Sequence, residues 1–470
     1  MKLLYRRCAG LDIHKKSVSA CIRCRIKGEP EMQTEEAVFG TFSQELEGLG
    51  RWLKQHRIKH VAMESTGVYW IPVWNILERF AFELILVNPA TVRALRGRKT
   101  DRIDARRIAE YLQYGLLQGS FVPPQPVRQW RDLTRMRTHV QQDRNRVINR
   151  IGRLLETVNI KLGSVASNIV GKSGRAILKA MAEGRTRPQQ LADRAVGRLR
   201  QKLAELESAL HGRPDEHFRW LLQQLLKRLE SLEGELAELD RRLGEQMQPQ
   251  EDLVRRLCTI PGVDVITAWI LISELGTDMS QFSDAGHAAS WAGLCPGNQE
   301  SAGKRFSGRT RKGDRYLRRI LVQNAWAAAR TRNCFLSALF NRVARRRGMK
   351  KAAVAVAHRI LIIAYHLIRD GGVYRERGGD AFDRLHPQRT AKRLVRRLER
   401  MGFGVTVTLQ PSTAVVPKRA VSKVKPRRVS TRVTPTTSCR KCAAWGIACI
   451  HVRYQKLQSS NPGSPGQSTV

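Results

Sequence analysis

An α/β domain over 1–125, a helical, coiled-coil-like region over 126–250, a mainly α domain over 251–376 and a basic, disordered tail over 377–470 are predicted by this chain. Three observations predict them. Strand-like alternation and helical periodicity take turns in the first region. Leucines recur at alternating steps of three and four in the second. Beyond Arg377 the composition shifts to Arg, Lys, Pro, Ser, Thr and Val, which cannot bury a core. A length of 470 residues suffices for two or three domains.

The charge balance names the class of partner. There are 84 Lys and Arg against 41 Asp and Glu, a formal net charge of +43. An excess spread along the whole chain repels itself and calls for a polyanion, so nucleic acid is expected. No run of about 18 apolar residues predicts a membrane span, and the N-terminus "MKLLYRRCAGLDI" lacks the apolar stretch of a signal peptide. Nine cysteines, mostly single, fit reduced thiols in the cytoplasm better than a disulfide framework.

In the first region, "AGLDIHKKSVSACIRCRI" alternates as a strand and "KGEP" reads as its turn. "QELEGLGRWLKQH" is an amphipathic helix, "KHVAMEST" a buried strand, "GVYWIPVWNILERF" a helix, and "FELILVNP" a strand stopped by Pro89. Strands alternating with helices imply a partly parallel sheet. In the second region Leu222, Leu225, Leu229, Leu232, Leu236, Leu239 and Leu243 form a heptad seam. Either a second copy of the chain covers it, or Leu199, Leu203, Leu206 and Leu210 fold back on it through "HGRPDE". In the third, "LCTIPGVDVITAWILISELG" has the form of a helix–hairpin–helix, with Pro261 and Gly262 in the turn. Backbone N–H groups of such a turn can hold a phosphate, though an ordinary helix turn has the same letters.

Acidic residues are scarce, so their positions carry information. Asp12 interrupts an apolar strand, where a charge is expensive unless it faces a site. Glu64 closes the strand "HVAME". Asp101 and Asp104 open the helix "DRIDARRIAEYL" on one face. Acidic residues in a first turn also complement the helix dipole with no further role. Four carboxylates meeting in one place would repel, and two divalent cations would relieve that repulsion. Hard oxygen donors suit Mg²⁺ or Mn²⁺, the ions of phosphoryl transfer.

The segment "NQESAGKRFSGRTRKGDRYLRR" sets Ser301 and Ser307 among Lys304, Arg305, Arg309, Arg311 and Lys312. No histidine and aspartate stand at the spacing of a hydrolase triad. A hydroxyl among guanidinium groups suits attack on a phosphodiester, because the cations neutralise the developing charge and bind nucleic-acid phosphates. Either serine satisfies that chemistry, and so does a plain polar turn.

The segments "GLDIHKKSVSAC", "AMESTGVYW" and "LVNPATVRALRGRKTDRIDARRIAEYL" resemble the RuvC-like, ribonuclease-H-type DEDD domain of the IS110 insertion-sequence transposases, in their IS-eleven-eleven branch. "NIKLGSVASNIVGKSGRAIL" is similar to that branch too. "AGLCPGNQESAG", followed by basic residues and "GDRYLRRIL", resembles the family's C-terminal serine domain. The resemblance spans residues 11–374. It implies metal binding by Asp12, Glu64, Asp101 and Asp104, and a nucleophile at Ser301 rather than Ser307. It further implies a bacterial, nucleoid-associated recombinase that moves a mobile element and is guided by a structured bridge RNA. Its composite site would be shared between protomers of a dimer or tetramer. A nuclease or junction resolvase that uses water would need the carboxylates but not the serine. A non-catalytic nucleic-acid-binding protein would need neither.

The tail departs from that pattern. Cys439, Cys442, Cys449 and His451 form a candidate Cys₃His zinc set, although Cys449 and His451 are unusually close. A basic tail with incidental thiols accounts for the same letters. Cys21 and Cys24 are expected on opposite faces of a strand, which disfavours metal there.

Overall fold

The computed structural model describes residues 3–25, 32–65, 67–89, 101–117, 119–297, 299–301, 304–385 and 387–407; for 101–103, 299–301 and 304–307 it describes the backbone alone. The chain divides into two compact units, residues 1–125 and 126–470.

The first unit is a six-stranded mixed sheet in the order β3-β2-β1-β4-β5-β6. Strands β1 (Arg7–Ile13), β2 (Ser17–Cys24) and β3 (Gln33–Gly40) form an antiparallel meander. Strands β4 (His60–Glu64) and β5 (Glu83–Val87) run parallel to β1, and β6 (Gly119–Ser120) closes the edge in the antiparallel sense. This is the ribonuclease-H-type, RuvC-like arrangement expected from the motifs. The stretch "AGLDIHKKSVSACIRCRI" is nevertheless two strands rather than one. It turns at His14–Lys16, where the His14 N–H donates to the Ser17 carbonyl at 2.9 Å. No glycine or proline announces that turn, and the "KGEP" expected to serve instead lies outside the described residues.

Alternation along β1 divides its side chains between two layers. Ala9, Leu11 and Ile13 pack with Leu46, Leu49 and Leu53 of α1 (Ser43–Gln55) and Val73 and Leu77 of α2 (Trp70–Leu77). On the opposite face Cys8, Ala62 and Val87 meet Ile108 and Leu112 of α3 (Asp101–Gln113), while Cys21 meets Ala105 and Ala109. Cys24 packs with the first layer, so Cys21 and Cys24 do lie on opposite faces. Burial pushes the Cys8 thiol up to about 12 and that of Cys21 up to about 11, which leaves both inert.

The second unit is mainly helical and holds two hydrophobic cores. In one, Val140, Val147, Ile151 and Leu155 of the long helix Gln125–Thr157 pack with Ile177, Leu178 and Met181 and with the leucines of the helix Glu216–Gln246. In the other, the helices Glu251–Cys258, Val265–Leu275, Ala285–Trp291, Arg315–Ala329, Phe335–Arg347 and Met349–Asp370 share Leu257, Leu271, Ala288, Leu321, Leu336 and Ile360. Val127 and Trp130 from the start of the long helix, and Leu243 from the end of Glu216–Gln246, belong to this second core as well. Regions 126–250 and 251–376 are therefore one compact unit rather than two, because both long helices run through both cores.

The leucine seam is buried inside the chain. Its apolar stripe uses Leu226 rather than Leu225, which is half-buried. The helix Lys172–Ala182 packs most closely against it, and the helix Gln125–Thr157, Leu206 and Leu210 join the same core. Ion pairs lock the two long helices together. Arg137 holds Asp240, and Glu233 accepts from Arg144 at 2.8 Å and from Arg175 at 2.7 Å.

One described helix, Met349–Asp370, is long and apolar enough to cross a membrane. Here its face from Ala352 to Tyr365 is core. Residues 377–407 were expected to lack structure, yet they include the helices Ala381–Leu385 and Pro387–Glu399. Cys439, Cys442, Cys449 and His451 lie outside the described residues.

A Cβ at Gly10 would stand 2.3 Å from the Ala109 nitrogen and 2.4 Å from the Ala105 oxygen, both backbone atoms. Gly10→Ala should therefore cost about 1–3 kcal/mol in urea unfolding. The guanidinium groups of Arg175 and Arg144 hold the Glu233 carboxyl below its ordinary range. A carboxyl lowered in the fold stabilises above its unfolded value, and that stability is lost as pH falls below about 4.5. The urea midpoint should thus drop less between pH 7 and pH 4 in Glu233→Gln than in the parent.

Candidate active site

The first cluster is built by β1, β4 and α3. Gly10 and Asp12 share the face of β1 that looks toward α3, and Ala62 and Glu64 share the matching face of β4. Leu11 pairs with Met63 in the parallel ladder, so Asp12 and Glu64 stand side by side one step further, at the carboxyl ends of neighbouring strands.

Helix α3 runs antiparallel to β1. The Cys8 thiol donates to the Ala109 carbonyl at 3.4 Å, and Gly10 abuts Ala105 and Ala109. Two residues of strand advance about 6.6 Å, which equals four to five residues of helix. The step from Gly10 to Asp12 thus leads from Ala105 toward the first turn, where Asp101 and Asp104 stand. The other end of the helix is fixed by a buried bond, 2.9 Å from Arg23 Nε to Gln113 Oε1.

Asp12 is 6% exposed. Its Oδ2 lies 3.1 Å from His14 Nε2. Asp104 is half-buried, with the Arg107 guanidinium at 3.9 Å. Glu64 is half-buried as well. The side chain of Asp101 lies outside the description. Among the described residues, no three His, Cys, Asp or Glu side chains converge closely enough to hold a metal ion. The backbone therefore gathers the carriers of the carboxylates, and hard oxygen donors on three adjacent elements are the right chemistry for a divalent cation. His14 was missed in the sequence. Its signal was its place, two residues after Asp12 where the strand ends.

The second cluster lies in the other unit. Ser301 ends strand β7 (Gln299–Ser301) of a β-hairpin whose second strand is β8 (Lys304–Ser307). Ser301 pairs with Lys304 at the tip, and Ser307 pairs with Gln299 at the base, so the two serines occupy opposite ends of the hairpin. The backbone of 299–301 and 304–307 is thus a short ribbon rather than a plain polar turn. Arg309, Arg311 and Lys312 follow it, and an isolated bridge from Pro296 to Thr310 ties its base. Gly313 leaves no room for a side chain against Gly293 and Trp291, which pins the end of the basic segment.

Beneath this segment lies a buried ionic group that sequence reading did not find. The Glu274 side chain is fully buried. It accepts from Arg135 at 2.8 and 2.9 Å and lies 3.1 Å from Arg131 Nε. Arg135 also reaches Asp314 at 3.4 Å, and Asp314 caps the helix Arg315–Ala329 by accepting from the Leu317 N–H at 2.7 Å. Burial pushes the Glu274 carboxyl up, against the pull of the guanidinium groups. Its partners are 139 and 143 residues away in sequence, so no local spacing could announce them. The turn at Pro261–Gly262 packs inward, with Gly262 at φ +87° against the backbone of Asn324 and Ala328. Removing Arg135 leaves a buried carboxylate with one cation fewer. Arg135→Ala should cost about 3 kcal/mol in urea unfolding, whereas Arg345→Ala on the exposed surface should stay within about 0.5 kcal/mol.

Both regions match known families. A family model for DEDD transposases of IS110 type matches residues 9–160, and the model described as "Transposase IS116/IS110/IS902 family" matches residues 254–339. A putative transposase y4pF/y4sB from Sinorhizobium fredii is 28% identical over 331 residues, covering 68% of this chain and 76% of its own. The transposase for insertion sequence element IS1328 from Yersinia enterocolitica is 28% identical over 270 residues, covering 56% and 69%. The Thermus thermophilus RuvC structure is 16% identical, with a TM-score of 0.20, and covers 24% of this chain and 99% of its own. With nearly all of the N-terminal sheet and the whole serine hairpin inside matched regions, the chain belongs to the IS110 family of transposases, DNA-recombining enzymes.

Proposed function

We propose that this transposase excises and inserts an insertion sequence with two chemical centres. Asp12, Glu64, Asp101 and Asp104 would hold Mg²⁺ or Mn²⁺. The ions would stabilise charge on the phosphate and the leaving oxygen. Ser301 is the nucleophile. Its Oγ forms a bond to phosphorus as the bond to the leaving sugar oxygen breaks. Lys304, Arg305, Arg309, Arg311 and Lys312 hold the phosphate in line. The observation that carries the reading is the position of Asp12 beside Glu64, on the face of the sheet covered by α3, with α3 running so that its first turn approaches them.

The family resemblance adds a bridge RNA that pairs with the DNA, and a site completed by a partner protomer in a dimer or tetramer. An excess of 43 positive charges is compatible with holding both nucleic acids through their backbones. Such an enzyme would work in the cytoplasm, at the nucleoid. Zinc in the tail remains a separate proposal resting on Cys439, Cys442, Cys449 and His451 alone.

The test is formation of the circular junction of the parent element in cells, read by quantitative PCR at matched protein levels. Asp104→Ala and Ser301→Ala should each lower it at least about 100-fold. Circles persisting in Ser301→Ala alone would favour a water-using nuclease, and circles persisting in both would leave a binding protein. A parallel thermal melt should show Mn²⁺ raising the transition of the parent and not of Asp12→Asn.

A further inference from the structure

The long helix Gln125–Thr157 carries a face that neither core uses. His139, Arg146, Arg150 and Arg153 follow one another at steps of seven, four and three, which keeps all of them within about 60° of one line along the helix. All four are exposed. The opposite face holds Val140, Val147, Ile151 and Leu155 in the core and pairs Arg137 and Arg144 with Asp240 and Glu233. Two acidic groups border the strip. Asp143 pairs with Arg146, and Glu156 pairs with Lys161.

The strip begins at the basic segment of the serine hairpin. His139 Nε2 lies 2.9 Å from the Tyr316 hydroxyl, and Arg315 donates to the same hydroxyl at 2.8 Å. Arg135 and Arg315 each place a guanidinium 4.8 Å from the centre of the Tyr316 ring. Glu274 and Asp314 neutralise Arg135, while Arg315 is exposed beside the same ring, where a phosphate can meet it.

We infer that Tyr316, Arg315, His139, Arg146, Arg150 and Arg153 form a continuous seat for the phosphate backbone of the DNA duplex flanking the cut. The inference rests on the reading that the serine hairpin acts on DNA. From His139 to Arg153 the strip is about 21 Å long. That matches the axial rise of about six base pairs, a little over half a turn of duplex. Arginine and histidine without base-edge partners read backbone and not sequence. The strip would therefore fix the register of the duplex at the hairpin and leave sequence choice elsewhere.

The test is the salt dependence of binding by the full chain, using a labelled random-sequence duplex DNA and a hairpin RNA of equal length. Each lost phosphate contact makes the slope of log affinity against log salt shallower by about 0.9. The triple variant Arg146→Gln, Arg150→Gln, Arg153→Gln should flatten the DNA slope by about 2–3, Arg150→Gln alone by about 0.9, and Lys227→Gln with Arg228→Gln, on the helix Glu216–Gln246, not at all. Tyr316→Phe keeps the ring and both stacked guanidinium groups and should weaken DNA binding severalfold. An unchanged DNA slope in the triple variant overturns the inference, and so does a slope that flattens for RNA alone. Ser301→Ala should leave the DNA slope unaltered, so failure of the serine reading would show in circle formation and not here.

Discussion

The close approach of α3 to β1 at Gly10 is the contact on which the first unit depends. A side chain there would collide with the backbone of Ala105 and Ala109. With hydrogen in its place, the helix lies directly against the strand, and Ala105, Ile108, Ala109 and Leu112 fill the space between helix and sheet. That contact fixes both the distance and the direction of the helix. It is why the end of β1 leads toward the first turn of a helix some ninety residues later in sequence. The Arg23–Gln113 bond at the far end prevents the helix from sliding along the sheet.

The second unit depends on charge where the first depends on contact. Glu274 is buried where an unpaired carboxylate would be untenable, and two arginines of the long helix satisfy it. The same Arg135 reaches Asp314, the cap of the helix that follows the basic segment. One buried acid therefore ties together the long helix, the apolar helix Val265–Leu275 and the start of Arg315–Ala329. The hairpin and the segment after it lead directly into that capped helix. Loops that carry function are commonly held this way, with the variable segment exposed and its ends fixed by buried groups.

The two units divide the chemistry by residue type. Acidic residues stand at the ends of neighbouring strands and in the first turn of α3, and the serines and basic residues lie along a short ribbon and the segment after it. Neither set alone moves a DNA strand in the proposed reaction. Carboxylates without a nucleophile direct water, and a serine without charge stabilisation is a weak nucleophile. The excess of cations spread over helices and hairpin suits a substrate recognised by its backbone.

The sequence by itself determined the class of each region. Alternation gave the strands of the sheet, the three-and-four leucine steps gave the long helix Glu216–Gln246, and an aspartate in an apolar strand marked a candidate site, because each signal is local and is read within a few residues. Tertiary structure alone decided the rest. The turn at His14–Lys16 lacks any turn-forming residue, and the pairing of Ser17–Cys24 with its neighbours on both sides makes it. The leucine seam packs against the helices Lys172–Ala182 and Gln125–Thr157, where Glu233 finds Arg175 and Arg144 and Asp240 finds Arg137. Glu274 is a single acid in an apolar helix, and its arginine partners come from some 140 residues earlier. Burial and long-range charge pairing depend on which surfaces meet, and no local spacing records that.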